Sequence, residues 1–383
     1  MKVGIITFQF AWNCGAVLQC VALQNAIEKM GHDVVIIDYR PTYKTYKYQK
    51  YQDPFKNALD VMKGNNGANG VLRAVKSFVR TVLDWKPNSG RSRQREGFQT
   101  FCNQHFHLTR EYCSLEDIRN DAPKCDVYLT GSDQVWNPEL TNKRLDGAYF
   151  LAFGDISSRR ISYAVSACQL DVQKSQQELR DFLAQFDTVS LREVEKQADL
   201  QTVFSKPIEI VPDPTLLLKA TDYTDFELNV SLPEKYILIY ALENPETDGM
   251  LFKMVERAKK KYGLPIIVIT GPHHWPYKVN FTNSVLPGEF LSYIKNAEYV
   301  ITNSFHATTF SLIYRKQFVT MVTKGRASRV TELLNNIGLE TRIVLSEDGI
   351  DDVLANDVDY EIANDRMEEL KMKGINYLSK QLG

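Results

Sequence analysis

The sequence predicts an α/β protein of two Rossmann-like domains that face each other across a central cleft. Three observations predict it. Short apolar runs alternate with stretches of helical periodicity from the first residues onward. The alternation comes in two series, with a pause near Asp213-Pro214 between them. Dense polar loops follow directly on several of the runs, at the strand ends where α/β proteins place their ligands.

Taken in order, residues 3–8 are an apolar run short enough for a strand buried on both faces. A helix is expected over 15–30, with Val17, Leu18, Val21, Leu23 and Ile27 inward and Gly31 as its stop. DVVIIDY at 33–39 completes a βαβ unit, whose crossover should be right-handed. Further strands are expected at 126–130, 160–167, 188–191 and 208–211. The second series follows at 236–242, 266–270, 299–302 and 318–322, with helices at 290–296 and 307–314 between its strands. Residues 360–382 read as a terminal helix. The expected division is therefore a first domain over 1–214, a second over 215–355, and a helical tail over 356–383.

Composition narrows the function classes. Of 383 residues, 44% are hydrophobic and 24% charged, an ordinary globular balance. A net charge of -1 argues against a nucleic-acid partner. No run approaches the roughly 20 apolar residues of a membrane-spanning helix, and MKVGIITF reads as a first strand rather than a signal peptide. The six cysteines are spread without a CxxC pair, as free thiols of a cytoplasmic protein would be. One segment departs from this balance. Residues 41–97 hold 12 Lys and Arg against four Asp and Glu, a net of +8, while the rest of the chain carries -9. This segment reads as an insertion in the first domain. Val71, Leu72, Val75, Phe78, Val79, Val82 and Leu83 repeat at helical spacing among Arg73, Lys76 and Arg80. Tyr43, Tyr46, Tyr48 and Tyr51 crowd the start of the segment. Two readings stand: a helix docked on its own domain, or a basic surface for an anionic membrane or the diphosphate of a lipid-linked acceptor.

The strongest local signal for chemistry is TNSFHA at 302–307. A buried strand ends there and Ser304 is a suitable N-cap, so the helix that follows offers free backbone N–H groups and a partial positive charge. His306 lies in its first turn, either satisfying the helix end or acting as an acid–base group. Lys324 and Arg326 follow the next strand, on the same sheet edge or simply as a solvated loop. Arg192 ends the run at 188–191, aimed at the cleft or paired on the surface with Glu193 or Glu195. The loop GSDQVWNP at 131–138 offers Ser132, Asp133, Gln134 and Trp136 for sugar or phosphate contacts, although Trp136 equally suits a buried structural role. Asn13 and Gly15 hold the corresponding place after the first strand, where Gly15 allows close backbone approach. No GxGxxG or Walker loop accompanies them. Cys102, His105 and His107 fit no closed zinc pattern.

These motifs resemble the polysaccharide pyruvyl transferase family: NxGAxLQ from Asn13, GSDQVWNP, ISYAVSA at 161–167, VSLRE at 189–193, DPTLLL at 213–218 and TNSFHATTFSLI at 302–313. The resemblance extends over nearly the whole chain. It implies a GT-B-like arrangement and transfer of pyruvate from phosphoenolpyruvate to a saccharide as a ketal, without metal or cofactor beyond that co-substrate. By it, Arg192, His306 and Lys324, with Arg326 as a rival to Lys324, hold the phosphate, and His306 is the acid; Ser304, the N-cap, is expected beside them. Asp133 is the candidate base. Asn13, Gly15, Ser132, Gln134 and Trp136 would meet the acceptor, a capsule or cell-wall precursor expected to be polyprenyl-diphosphate-linked, at the inner face of the membrane. Two positions differ from the family pattern: Ala307 stands where Gly is frequent, and Ser166-Ala167-Cys168 where SxG is usual. The alternatives are a nucleotide-sugar glycosyltransferase and an inactive saccharide-binding protein of the same fold.

Overall fold

The structure is a computed structural model. It describes residues 1–45, 54–63, 68–83, 90–242, 245–270, 275–276, 279–282, 284–322 and 328–383. The first sheet contains β1 (Lys2–Ile6), β2 (Asp33–Tyr39), β3 (Leu108–Tyr112), β4 (Val127–Thr130) and β5 (Arg159–Ser162). Its strands are all parallel, in the order β3-β2-β1-β4-β5. Two more strands, β6 (Val189–Leu191) and β7 (Ile208–Ile210), pair with each other. They prolong the sheet through bridges from Ile161 to Thr188 and from Val165 to Leu191.

The second sheet contains β8 (Ile237–Tyr240), β9 (Ile266–Thr270), β10 (Asn280–Phe281), β11 (Tyr299–Thr302), β12 (Gln317–Met321) and β13 (Ile343–Val344). Its order is β10-β9-β8-β11-β12-β13. Counted within its own half, each sheet therefore contains the doubly wound order 3-2-1-4-5-6, with β7 as a seventh strand beyond it in the first half. Each has a switch point where its first strand meets its fourth, and ligands bind at such points, outside the carboxyl ends of the strands.

Three strands escaped the sequence reading. β3 (LTREY) carries two charges and buries only Tyr112, while β10 and β13 are two residues long, too short to leave a period. The run at 160–167 is not one strand either. β5 stops at Ser162, Ala164 takes φ +49, and the chain bends toward the bridge between Asp133 and Val165.

The first helix, Cys14–Lys29, is buried at thirteen of its sixteen positions. A helix enclosed all round has to be apolar all round, and this one shares a core cluster with both domains. Two of its buried amides donate to distant partners, Gln19 to Thr7 Oγ1 at 3.0 Å and Gln24 to the His105 carbonyl at 2.9 Å, while Gln19 Oε1 is buried without a partner. The terminal helix Tyr360–Leu382 returns to the first sheet. Tyr377 donates to the Ser162 carbonyl at 2.8 Å, Arg159 bonds Gln381, and Gly374 packs against Tyr163, Leu217 and Pro212.

The basic segment contributes the helices Pro54–Lys63, Ala68–Leu83 and Gly90–His105. The last of these belongs to the core, with Phe98, Phe101 and Cys102 buried. It also touches the second domain, where Arg93 pairs with Glu289 and Gly97 lies against Leu286. Tyr43 is no interface residue: its hydroxyl donates to Asp146 at 2.7 Å, beside Tyr39. Tyr46, Tyr48 and Tyr51 lie outside the described residues. All six cysteines are free thiols. Among the described residues no helix is long and apolar enough to cross a membrane.

Candidate functional site

Two helix N-termini, one from each domain, meet at His306. In the second domain, β11 is fully buried and Ser304 follows in extended geometry, its hydroxyl accepting from the Ala307 N–H. His306 then projects from the first turn of the helix Phe305–Ile313, its side chain 12% exposed. In the first domain, Asn13 caps the helix Cys14–Lys29 by accepting from Ala16 N at 3.1 Å. Gly15 sits so close that a Cβ there would come inside 3.0 Å of the His306 ring. Its glycine is thus a requirement of the domain contact. Both helices direct unpaired N–H groups and positive dipole ends at this point.

Beside them, a buried Arg192 emerges from β6 and donates from Nη1 to Asp213 Oδ2 at 2.7 Å. Asp213 follows β7 and was not anticipated as a site residue; its Asp-Pro had read as the pause between the two series. The structure makes it the hub. Its Oδ2 also accepts from Ser132 Oγ at 3.0 Å, and its Oδ1 from the Thr215 N–H and hydroxyl at 3.0 and 2.7 Å. His306 Nε2 lies 3.7 Å from Oδ2, too long for a hydrogen bond but within ion-pair reach. Burial alone would raise the Asp213 pKa. His306, Arg192 and the Thr215 N–H outweigh it and hold the carboxyl well below the usual carboxylate range.

Arg192 is correspondingly no surface ion pair. Its side chain is 3% exposed, and its Nε lies 3.5 Å from Glu193 Oε2. Burial works against its charge, yet Asp213, Glu193 and Asp133 together keep its pKa above the ordinary value. Its guanidinium lies over the Phe305 ring at 4.7 Å. A second guanidinium, Arg329, reaches the same ring at 6.0 Å. Burial first, and the charge of Arg192 next, push the Arg329 pKa down. Arg329 was also missed, since at the start of the helix Ser328–Ile337 it reads as one more surface cation. Two guanidiniums held together against their repulsion suit an anion between them.

The site has unused capacity. Arg192 Nε and Nη2, His306 Nε2 and Glu193 Oε2 are buried without a hydrogen-bond partner. Such groups are costly unless a ligand satisfies them. Guanidinium edges beside an imidazole can hold an oxyanion and pass it a proton.

The loop at 131–138 divides by role. Ser132 is fully buried and spends its hydroxyl on Asp213, so it positions that carboxylate rather than meeting an acceptor. Asp133 stands at φ +80, a left-handed conformation that Asp tolerates better than most residues. Its carboxylate accepts from Gln134 N at 2.9 Å and acts electrostatically on both arginines. Gln134 accepts from Asn137 at 2.8 Å and braces its own loop. Trp136 is 1% exposed, stacked on Phe150 at 4.8 Å, with its N–H on the Tyr149 carbonyl. It is a core side chain, and the expected stacking on a sugar is corrected: no ring face is free. Asn13 remains exposed at the rim.

Of the family-pattern departures, Ser166 donates to Glu193 and Ala307 is enclosed in the core. Lys324 and Arg326, with His273 and His274, lie outside the described residues. Cys102, His105 and His107 do not converge. The Cys102 thiol faces the Gln9 carbonyl, His105 packs on Phe101 and Phe226, and His107 pairs with Glu28 at 3.1 Å.

Two solved structures of UDP-GlcNAc 2-epimerase from Methanocaldococcus jannaschii are similar to this chain. One has 12% identity and a TM-score of 0.50, covering 94% of each chain. The other, in complex with UDP-GlcNAc and UDP, has 13% identity and a TM-score of 0.51, covering 98% of this chain and 100% of that one. At such identity the likeness is one of fold: two Rossmann-like domains in a GT-B-like arrangement. A comparison with curated proteins finds no significant match. The family model described as polysaccharide pyruvyl transferase matches residues 13–325, from the Asn13 cap through β12 and into the loop after it. With both halves of the cleft inside that match, the chain belongs to the polysaccharide pyruvyl transferase family.

Proposed function

We propose that this chain transfers the pyruvyl group of phosphoenolpyruvate to two hydroxyls of a saccharide, forming a pyruvate ketal and releasing inorganic phosphate. The observation that supports it best is the buried pair of free Arg192 N–H edges beside a free His306 Nε2, all gathered around Asp213. His306 protonates the methylene carbon, which leaves C2 electron-poor. One sugar hydroxyl adds at C2 and phosphate departs with its bridging oxygen. A second hydroxyl then closes the ketal, and both hydroxyl protons pass to base, with Asp133 the candidate. Arg192 and Arg329 neutralise the leaving phosphate.

The described charges nearly balance: two guanidiniums face Asp213, Glu193 and Asp133. A trianionic substrate therefore draws on His306 and on the loop with Lys324 and Arg326. The acceptor is proposed to be a capsule or cell-wall glycan precursor, carried on a lipid diphosphate.

The test is steady-state phosphate release from phosphoenolpyruvate with a glycan acceptor. His306→Ala should lower turnover about 10²–10⁴-fold while the protein stays folded. Arg329→Ala should chiefly raise KM for phosphoenolpyruvate. Near-normal turnover in His306→Ala would remove it as the acid. Nucleotide release from a nucleotide sugar, with no phosphate release from phosphoenolpyruvate, would make the chain a glycosyltransferase instead.

A further inference from the structure

The helices Pro54–Lys63 and Ala68–Leu83 form a hairpin with more apolar surface than the pairing uses. Phe55 meets Phe78 edge-on, ring centroids 5.0 Å apart, and Ala74 and Thr81 are buried. Positions 74, 78 and 81 make one helical stripe. Val71, Val75, Val79 and Val82 make a second, flanked by Leu72 and Leu83, and these six are 40–56% exposed. On the other helix, Phe55, Leu59 and Met62 recur at helical spacing and are 45–68% exposed. Nine of the 18 exposed large hydrophobic residues among the described ones thus fall on this one hairpin. Scattered apolar residues need no explanation, but a concentration of this kind marks an interaction surface.

The charge along it is predominantly basic. The helix Ala68–Leu83 carries Arg73, Lys76 and Arg80 and no acidic residue, and Pro54–Lys63 carries Lys56 and Lys63 against Asp60. Both lie in the segment of net charge +8. We infer that this hairpin docks on an anionic phospholipid bilayer, with its aliphatic stripes at the acyl boundary and its lysines and arginines on the headgroups. A second copy of the chain is disfavoured, because the contact would oppose two segments of +8. A protein partner is disfavoured too: such interfaces are anchored by Trp, Tyr and Arg in pockets, whereas the exposed residues here are mostly Val, Leu and Met. The inference does not rest on the transfer reaction proposed above.

The test is flotation of the full chain with vesicles of phosphatidylcholine alone and of phosphatidylcholine mixed with phosphatidylglycerol. The chain should float with the mixed vesicles at low salt and progressively less as salt is added. Lys76→Ala should weaken that binding about fivefold, and Val75→Glu with Val79→Glu should abolish most of it. These positions are exposed, so circular dichroism and thermal melting should match wild type. If the glutamates disturb the hairpin, Leu72→Ser with Val79→Ser gives the same reading more gently. Three results would overturn the inference: no flotation with anionic vesicles at low salt, full flotation of the apolar-to-polar variants, or sedimentation showing the face covered by a second copy or an acidic protein.

Discussion

Burying a carboxylate costs several kcal/mol unless its partners compensate, and Asp213 collects Arg192, Ser132, Thr215 and His306 around its two oxygens. Because its pKa is depressed in the folded state, it contributes stability above its unfolded value of about 3.9. That stability is lost as pH falls toward the folded value. Below about pH 4 this one group should add roughly 1.4 kcal/mol per pH unit to the loss. Asp213→Asn should therefore flatten the acid limb by about that slope, measured by urea unfolding from pH 6 to pH 3. At neutral pH the same variant strands Arg192 and should cost about 3–5 kcal/mol. An unchanged acid limb would mean that the carboxylate gains nothing from its partners.

At the scale of elements, the site is made by two helix starts brought end to end. Gly15→Ala isolates that contact. In an isolated helix interior the change would be worth about 1 kcal/mol in favour of alanine. Here the new methyl would press on the imidazole from inside 3.0 Å, so His306 has to shift. A displacement of about 1 Å at a reacting group can cost as much as 10²-fold in rate. The expected outcome is a fall in kcat of about tenfold or more, with a melting temperature near that of wild type. Wild-type kinetics in Gly15→Ala would show that the imidazole has room to spare.

For the whole molecule, the terminal helix ties the end of the chain to the first sheet. Tyr377→Phe removes a buried O–H donor to the Ser162 carbonyl, which keeps the Ser190 hydroxyl as a second donor at 2.8 Å. The cost should sit at the low end of the usual range, about 0.5–1 kcal/mol. It should appear as a lower urea midpoint with an unchanged slope. If the two domains unfold separately, the transition that moves should be the one containing β5, although Tyr377 follows the second domain in sequence. A midpoint equal to wild type would mean that the helix end is not held there.

Periodicity and local chemistry settled much of this protein before tertiary structure entered. The buried strands β2, β9 and β11 carry uninterrupted apolar runs, and Gly31, at φ +86, ends the first helix where a left-handed residue is needed. Ser304 was legible as a cap because a cap bonds within three residues of itself, and Asn13 makes the same short-range bond. What lay beyond the sequence depends on distance along the chain. Asp213 becomes the hub only when β4, β6, β7 and the helix after β11 bring Ser132, Arg192 and His306 to it. Trp136 carries the same indole whether it faces a sugar or Phe150, and only packing chose Phe150. Arg329 looks like any surface cation until folding sets it beside Arg192, where burial and like charge change its behaviour. Local pattern fixes what a few neighbouring residues can satisfy among themselves, whereas burial and charge coupling depend on groups that meet only when the two sheets face each other.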